Sequence, residues 1–179
     1  DMGGTSFDTS MIYDNEVQMR NRAQIGDFDT GLDIVDVEAI GSGGGSIGWI
    51  DDRGQPQVGP ESAGADPGPV CYGKGGTEPT ITDAALTLGY LNPEYFLAGR
   101  DSLNAEAARD AIATHLADPL DYDITEAASA MMSLAVAKMS NAARAVSVER
   151  GYDPREFAML AYGGTSPLFA PMICGEMNI

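Results

Sequence analysis

The sequence predicts a mixed α/β (α+β) chain, and three observations carry that prediction. Polar and apolar residues alternate over residues 6–13. An apolar stripe of 3.6-residue period runs along residues 131–146. Two Gly-Gly turns, Gly3-Gly4 and Gly163-Gly164, stand near either end of the 179 residues. The predicted order is β-hairpins, then helices, then a β-turn-α unit, with no internal repeat.

In residues 6–13, Phe7, Thr9, Met11 and Tyr13 fall on one face and Ser6, Asp8, Ser10 and Ile12 on the other, the period-two signature of a strand. Asp14-Asn15 reads as a turn, residues 16–20 as the returning strand, and residues 33–40 as a third strand. That strand runs into Gly41-Ser42-Gly43-Gly44-Gly45-Ser46, after which residues 47–51 resume extended structure. Residues 1–57 thus form a hairpin-rich half. Residues 58–81 are rich in Pro and Gly, a composition that suits an ordered functional loop or a linker; Val70, Cys71 and Tyr72 within it favour a loop packed on something.

Residues 82–179 read as the helical half. Thr82 caps a short helix to residue 91 with Asp83 in its first turn, and Asn104 caps one over 105–117 that ends at Pro119. A long helix starts at an N-cap Thr125 and stops before Gly151, with Met131, Leu134, Ala135, Met139, Ala142 and Val146 as its apolar stripe. Its many Ala and Ser residues let another backbone come close. Pro154 prevents continuation, residues 157–162 read as a strand, and Ser166-Pro167 is a cap followed by proline at the first helical position.

Composition narrows the function. Apolar residues at 44% and charged residues at 21% describe a folded chain, and no apolar run approaches the ~20 residues that span a bilayer. A net charge of −17 excludes nucleic acid and an anionic membrane as partners. With only 10 Lys and Arg, a bound phosphate would rest on backbone N–H groups, hydroxyls and a divalent cation bridging to carboxylates. Cys71 and Cys174 show no paired spacing, which favours a reduced, cytoplasmic protein over a disulfide or zinc framework. The start without Met, inside a motif, reads as a fragment of a longer polypeptide.

In Asp1-x-Gly3-Gly4-Thr5-Ser6-x-Asp8, the glycines let backbone N–H groups approach a phosphate, Thr5 and Ser6 add hydroxyl donors, and Asp1 and Asp8 are placed to hold Mg²⁺ or orient a nucleophile. The same residues also suit a hairpin with a permissive turn. Gly163-Gly164 ends a predicted strand and opens a helix, where an anion or nucleotide sugar is favoured, or it is an ordinary tight turn. Gly43-Gly44-Gly45-Ser46 lacks a P-loop lysine; a phosphate cradle and a bent strand connection fit it equally. His115, the only histidine, lacks a partner and reads as a surface residue. Lys74 in its glycine loop is a candidate phosphate or substrate contact, Cys71 lacks an activating neighbour, and Trp49 reads as core.

Five segments carry a resemblance. They are Asp1-Met2-Gly3-Gly4-Thr5-Ser6-Phe7-Asp8, Gly41-Ser42-Gly43-Gly44-Gly45-Ser46-Ile47, Gly59-Pro60-Glu61-Ser62-Ala63-Gly64-Ala65-Asp66-Pro67-Gly68-Pro69, Gly75-Gly76-Thr77-Glu78-Pro79-Thr80-Ile81-Thr82-Asp83-Ala84 and Val148-Glu149-Arg150-Gly151-Tyr152-Asp153-Pro154. In this order they resemble the hydantoinase A, 5-oxoprolinase and acetone carboxylase β-subunit family (N-methylhydantoinase A-like) over essentially the whole chain. The resemblance implies part of an actin-like, ribonuclease-H-type ATPase domain. Residues 1–8 are similar to its second phosphate loop and Tyr162-Gly163-Gly164 to its adenosine loop.

By the same resemblance, Asp1 and Asp8 are the catalytic and metal residues. Gly3, Gly4, Thr5, Ser6, Gly163 and Gly164 bind ATP, with Mg²⁺ or Mn²⁺. The implied chemistry is phosphoryl activation of a lactam, imide or ketone oxygen, followed by ring opening or carboxylation, with a hydantoinase B-type partner subunit. Phe169 stands where the family often has histidine, and Ser166 where it has glycine. Two alternatives remain open here: a non-catalytic assembly domain that keeps the fold, and a sugar-kinase relative with the same turns.

Overall fold

Why strands form where they do in the first half is clearest from the computed structural model, which describes every residue except Arg22 and Gly26, with the side chains of residues 23–25 and 29 also outside the description. The predicted strand over 6–13 is two pieces. β1 (Phe7–Ser10) and β2 (Ile12–Tyr13) break at Met11, which is buried. β2 turns through Asp14 and Asn15, both at positive φ (54° and 60°), into β3 (Glu16–Val17). Two consecutive left-handed residues give the tight turn whose twist suits a two-residue hairpin, and Asp and Asn tolerate that conformation best among non-glycine residues.

The long partner of β1 is therefore not the returning segment. It is β8 (Val37–Ile40), antiparallel, with Phe7 opposite Ile40 and Ser10 opposite Val37. Between them β4 (Met19–Arg20) pairs with β7 (Ile34–Val35), and β5 (Ala23–Ile25) with β6 (Phe28–Thr30), so these strands form a nested antiparallel arm. Asp36, 3% exposed, anchors this arm to the helical half. It forms ion pairs with Arg150 and, at 3.7 Å, with Arg20 Nε.

β9 (Ser46–Ile50) pairs antiparallel with β10 (Pro56–Ser62), a strand that falls partly in the segment read as loop. Gly59 and Pro60 hid it. They are tolerated because the register shifts between Val58 and Ser62, so that stretch of backbone does not complete the ladder. Trp49 is a second correction: it is 43% exposed, not core, and its Nε1 donates to Gly59 O at 2.8 Å.

The helices are α1 (Ile81–Thr87), α2 (Ala105–Ile112), α3 (Asp118–Leu120), α4 (Ile124–Val146) and α5 (Ser166–Met177). Asn104 caps α2 as expected. The caps of the others lie upstream of the predicted residues: Thr80 for α1, Asp123 for α4 and Thr165 for α5. A π-helical turn (Ala113–Ala117) completes the span expected for the second helix, and the chain stays helical through α3 because Pro119 sits in its first turn, where proline is tolerated. His115 on that turn is exposed, as expected.

α4 is the spine. Met131, Ala135, Met139, Ala142 and Val146 are all buried along one stripe, and Gly48 of β9 lies against Met131 so closely that a Cβ would sit 2.5 Å from its Cε. Met2, Phe7, Ile81, Ile112, Leu116, Phe169 and Ile173 complete the same core. Phe169 is fully buried there, so its side chain serves packing. Among the described residues no helix is long and apolar enough to cross a membrane.

Residues 157–162 are extended but not a strand, which corrects the expectation. The only backbone hydrogen bond they make to a neighbouring extended segment, among the described residues, is Met2 N to Tyr162 O at 3.2 Å, and Leu160 is 84% exposed. A strand is defined by its ladder, and one bond is not a ladder.

Candidate functional site

The first Gly-Gly turn is a tight hairpin tip. Asp1 and Asp8 exchange both backbone bonds, Asp1 N to Asp8 O at 2.8 Å and Asp8 N to Asp1 O at 2.9 Å. Met2 bridges Phe7, and Gly3 N donates to Ser6 O at 3.2 Å to close the turn. Directly opposed residues in an antiparallel pair present their side chains on one face. The two carboxylates therefore share a face, at the edge of a groove of about 400 Å³ walled by Met11, Val146, Phe157, Leu160 and Tyr162. Ser6 Oγ donates to Asp8 Oδ2 at 3.0 Å, so that hydroxyl serves to orient the carboxylate.

The second Gly-Gly turn meets the first. Buried Met2 holds it from both sides: Met2 N donates to Tyr162 O, and Thr165 N donates to Met2 O at 3.0 Å. Gly163 has φ +95°, and a Cβ there would fall on Asp1 Oδ1 and lie 2.6 Å from Met2 O. Only glycine permits that approach in that conformation. Proline in the first turn of α5 then fixes the helix start beside the turn.

A third glycine segment underlies both, and the sequence reading left its role open. Gly44 N donates to Gly3 O at 3.0 Å and Gly45 N to Gly4 O at 2.7 Å. The Gly4–Thr5 peptide lies flat against Gly43, where a Cβ would stand 2.5 Å from Gly4 C. Residues 42–48 are all buried, so the segment that connects β8 to β9 also serves as a floor beneath the two turns.

The floor dictates where the amides of the tip point. A trans peptide directs its C=O and N–H oppositely. With the carbonyls of Gly3 and Gly4 turned down onto Gly44 and Gly45, the N–H groups of Gly4 and Thr5 turn up, away from the floor. Among the described residues no protein acceptor takes the N–H of Gly4, Thr5, Ser6, Gly163 or Gly164. Gly3, Gly4 and Gly164 have open space where a Cβ would stand. The result is a concave set of unpaired donors beside two carboxylates, the arrangement that receives an anion through backbone.

All eight residues singled out from sequence thus fall in one cluster: Asp1, Gly3, Gly4, Thr5, Ser6, Asp8, Gly163 and Gly164. Gly43, Gly44 and Gly45, whose role the sequence left open, join them with Ser62 and with Thr82, which was read only as a helix cap. The signal that could have found them is a run of three glycines outside any turn consensus, since buried glycine marks close backbone approach. Lys74 is exposed, its Nζ 6.0 Å from the Tyr72 ring centroid, and makes no contact with the cluster.

Cys71 is buried with its backbone N–H on Asp83 Oδ1 at 2.8 Å. Burial first, and then the Asp83 carboxylate, push its thiol well above the usual range, which removes the nucleophile reading. The divalent-cation reading fits the donor set in one form only. Among the described residues no three metal-ligating side chains gather, so two carboxylates would hold Mg²⁺ together with substrate phosphates and water.

The family profile described as Hydantoinase/oxoprolinase matches residues 1–179. The chain is 45% identical to the caprolactamase subunit alpha of Pseudomonas jessenii over 99% of its own length and 26% of that protein. The crystal structure of ATP-dependent caprolactamase from the same organism superimposes with a TM-score of 0.90 at 45% identity, over 98% of this chain and 26% of that one. A nucleotide-free acetone carboxylase, from work on ATP-dependent acetone carboxylation, superimposes with a TM-score of 0.86 at 33% identity, over 94% and 24%. The chain therefore spans about a quarter of the length of the curated relative it matches at 45%. With the profile covering every residue and the fold shared with two solved members, the chain belongs to the hydantoinase/oxoprolinase family.

Proposed function

We propose that this chain is the nucleotide-binding part of an ATP-dependent enzyme that activates a lactam, imide or ketone oxygen by phosphoryl transfer. The observation that carries the reading is the convergence of the two Gly-Gly turns, with unpaired amides beside Asp1 and Asp8. In this acidic chain, backbone supplies the phosphate grip that Lys and Arg supply elsewhere. Gly3, Gly4, Thr5 and Ser6 hold the phosphates, Gly163 and Gly164 the adenosine end, and Asp1 and Asp8 a divalent cation on the phosphates.

In the reaction so read, the substrate oxygen attacks the γ-phosphorus, the bond to the β-bridging oxygen breaks, and ADP leaves. In the lactam branch the carbon bearing the phosphorylated oxygen becomes the better electrophile; water adds to it, the ring C–N bond breaks and phosphate leaves. In the ketone branch the substrate loses an α-proton as its oxygen is phosphorylated, and water then cleaves the O–P bond of the enol phosphate, releasing phosphate while the α-carbon bonds to carbon dioxide. Positioning and charge stabilisation supply most of the acceleration in such transfers. The names of the relatives support both branches, caprolactamase for the lactam and acetone carboxylase for the ketone. They also support assembly with a hydantoinase B-type subunit, since several are named as subunits. The free cysteines suit a reducing, cytoplasmic setting.

The test is calorimetric titration of Mg²⁺-ATP into the full-length protein and its Asp8→Ala variant. Binding that weakens sharply in the variant supports the reading. No binding by the folded protein with its partner subunit present would leave a non-catalytic assembly domain as the better account.

A further inference from the structure

Thr82 is the second residue of α1, and the helix has no use for its hydroxyl. The N-cap role belongs to Thr80, whose side chain accepts from Asp83 N while the Asp83 carboxylate accepts from Thr80 N and Thr80 Oγ1, both at 2.8 Å. Thr82 looks elsewhere. Its backbone N–H and its Oγ1 both donate to one acceptor, Gly44 O, each at 2.8 Å.

That carbonyl is half of a peptide unit whose other half is Gly45 N–H. Because the unit is planar and trans, pinning Gly44 O to α1 aims Gly45 N–H the opposite way. It meets Gly4 O at 2.7 Å. Gly4 O in turn shares a peptide with Thr5 N–H, which is aimed outward by the same rule. Thr82, the Gly44–Gly45 peptide and the Gly4–Thr5 peptide thus form a head-to-tail relay ending on an unpaired donor at the tip. Hydrogen bonds in such a chain polarise one another, so the anchor acts on the last N–H as well as on its direction. Side chains are excluded along the way. A Cβ on Gly44 would stand 2.9 Å from Thr82 Oγ1 and 3.0 Å from Thr165 Oγ1, and one on Gly45 would stand 2.9 Å from both Gly4 O and Ser62 Oγ.

We propose that Thr82 is a positioning residue for the phosphate grip, acting through Gly44 and Gly45 to set the direction of the Thr5 amide. This rests on the nucleotide reading above. It separates the two ends of the ligand: Thr82 governs phosphate and leaves the adenosine end, at Gly163 and Gly164, untouched.

The experiment compares full-length wild type, Thr82→Val and Thr82→Ser for affinity toward Mg²⁺-ATP and toward adenosine, with thermal melting alongside. Valine keeps the shape and the backbone N–H and removes only the hydroxyl. Thr82→Val should weaken Mg²⁺-ATP about tenfold, the scale of one lost hydrogen bond on a ligand-aiming group, and leave adenosine within about twofold. Thr82→Ser should restore Mg²⁺-ATP to within about threefold of wild type. Equal Mg²⁺-ATP affinity in Thr82→Val and wild type overturns the proposal. So does a parallel loss of adenosine and Mg²⁺-ATP, which would mark general unfolding, or a Thr82→Ser variant as poor as Thr82→Val. A wild type that binds neither ligand overturns the nucleotide reading itself, and the proposal falls with it.

Discussion

Adjacent glycines at 163 and 164 should respond oppositely to the same substitution. In Gly163→Ala the new methyl meets backbone that cannot rotate away, Met2 O at 2.6 Å and Met2 N at 2.9 Å, and the Asp1 carboxylate as well. The φ of +95° adds its own penalty, since it lies beyond even the left-handed helical well. Strain of this kind costs about 1–3 kcal/mol, and overpacking against a fixed neighbour about 1–3 kcal/mol. Together they remove about 2–6 kcal/mol from a domain whose stability is of order 5–15 kcal/mol. At about 2–4 °C per kcal/mol for a unit of this size, melting should fall by at least about 4 °C.

Gly164→Ala meets nothing within 4 Å and no left-handed φ. Its only folding effect is a less flexible unfolded chain, a gain of up to about 1 kcal/mol. Its methyl does enter the open face where the adenosine end is proposed to lie. An overpacking cost of about 1–3 kcal/mol there weakens ATP roughly 5- to 150-fold. Thermal melting and ATP titration on the pair of full-length variants separate the two effects. A Gly163→Ala variant as stable as wild type would refute the close approach of the two turns. A Gly164→Ala variant with wild-type affinity would refute the placement of the ligand.

Three further outcomes follow from groups around the site. Asp83→Asn sets an amide donor against at least one backbone or hydroxyl donor that the carboxylate now accepts, so chemical denaturation should show a loss of at least about 1.5–3 kcal/mol. The Cys71 thiol stays protonated in the fold while its unfolded counterpart ionises near its ordinary value of 9.0; stability is therefore intact below pH 9 and falls above it. The slope should reach about 1.4 kcal/mol per pH unit and flatten in Cys71→Ala, and iodoacetamide at neutral pH should label Cys174 first. Asp36→Ala leaves Arg20 and Arg150 without their buried partner, at about 1–3 kcal/mol since both arginines are partly solvated. Hydrogen exchange should then quicken at the Asp36-to-Gln18 backbone bond, which ties the arm.

What the sequence disclosed follows from range. Asn104 was legible as a cap because its bond, to Ala107 N at 3.0 Å, spans three residues. The stripe on α4 was legible because helical period is local. The pairing of β1 with β8 was not, since both candidate partners alternate, and the choice rests on Met11 turning inward at the break. β10 hid behind Gly59 and Pro60, which composition reads as loop and an interrupted ladder reads as permissible. The caps at Thr80 and Asp123 were each displaced by two residues, to Thr82 and Thr125, because several hydroxyl or carboxylate side chains compete at each start. Residues 1–8 and 163–164 were each legible as backbone grips. Their meeting at Met2, and the floor of residues 43–45 beneath them, depend on contacts between segments dozens of residues apart.

The role of that floor follows from charge. A chain at −17 repels a polyanion at long range, and with 10 cationic side chains it has little with which to counter this. Amide dipoles carry no net charge and add nothing to that balance, but their worth depends on direction, which a side chain on a flexible stem can adjust and a peptide plane cannot. A backbone grip therefore requires its carbonyls to be held from behind. Gly44 and Gly45 hold those of Gly3 and Gly4, and Thr82 holds Gly44. Each of these approaches excludes a Cβ, so glycine at 43, 44 and 45 is the steric consequence of aiming amides at 4 and 5. On this argument Gly43→Ala should act on the tip and not only on the floor. Its methyl would displace the Gly4–Thr5 peptide, and Mg²⁺-ATP affinity should fall in a variant whose α4 core is untouched. Retained affinity would show that the tip keeps its amide directions without the floor, and the charge argument would lose its structural basis.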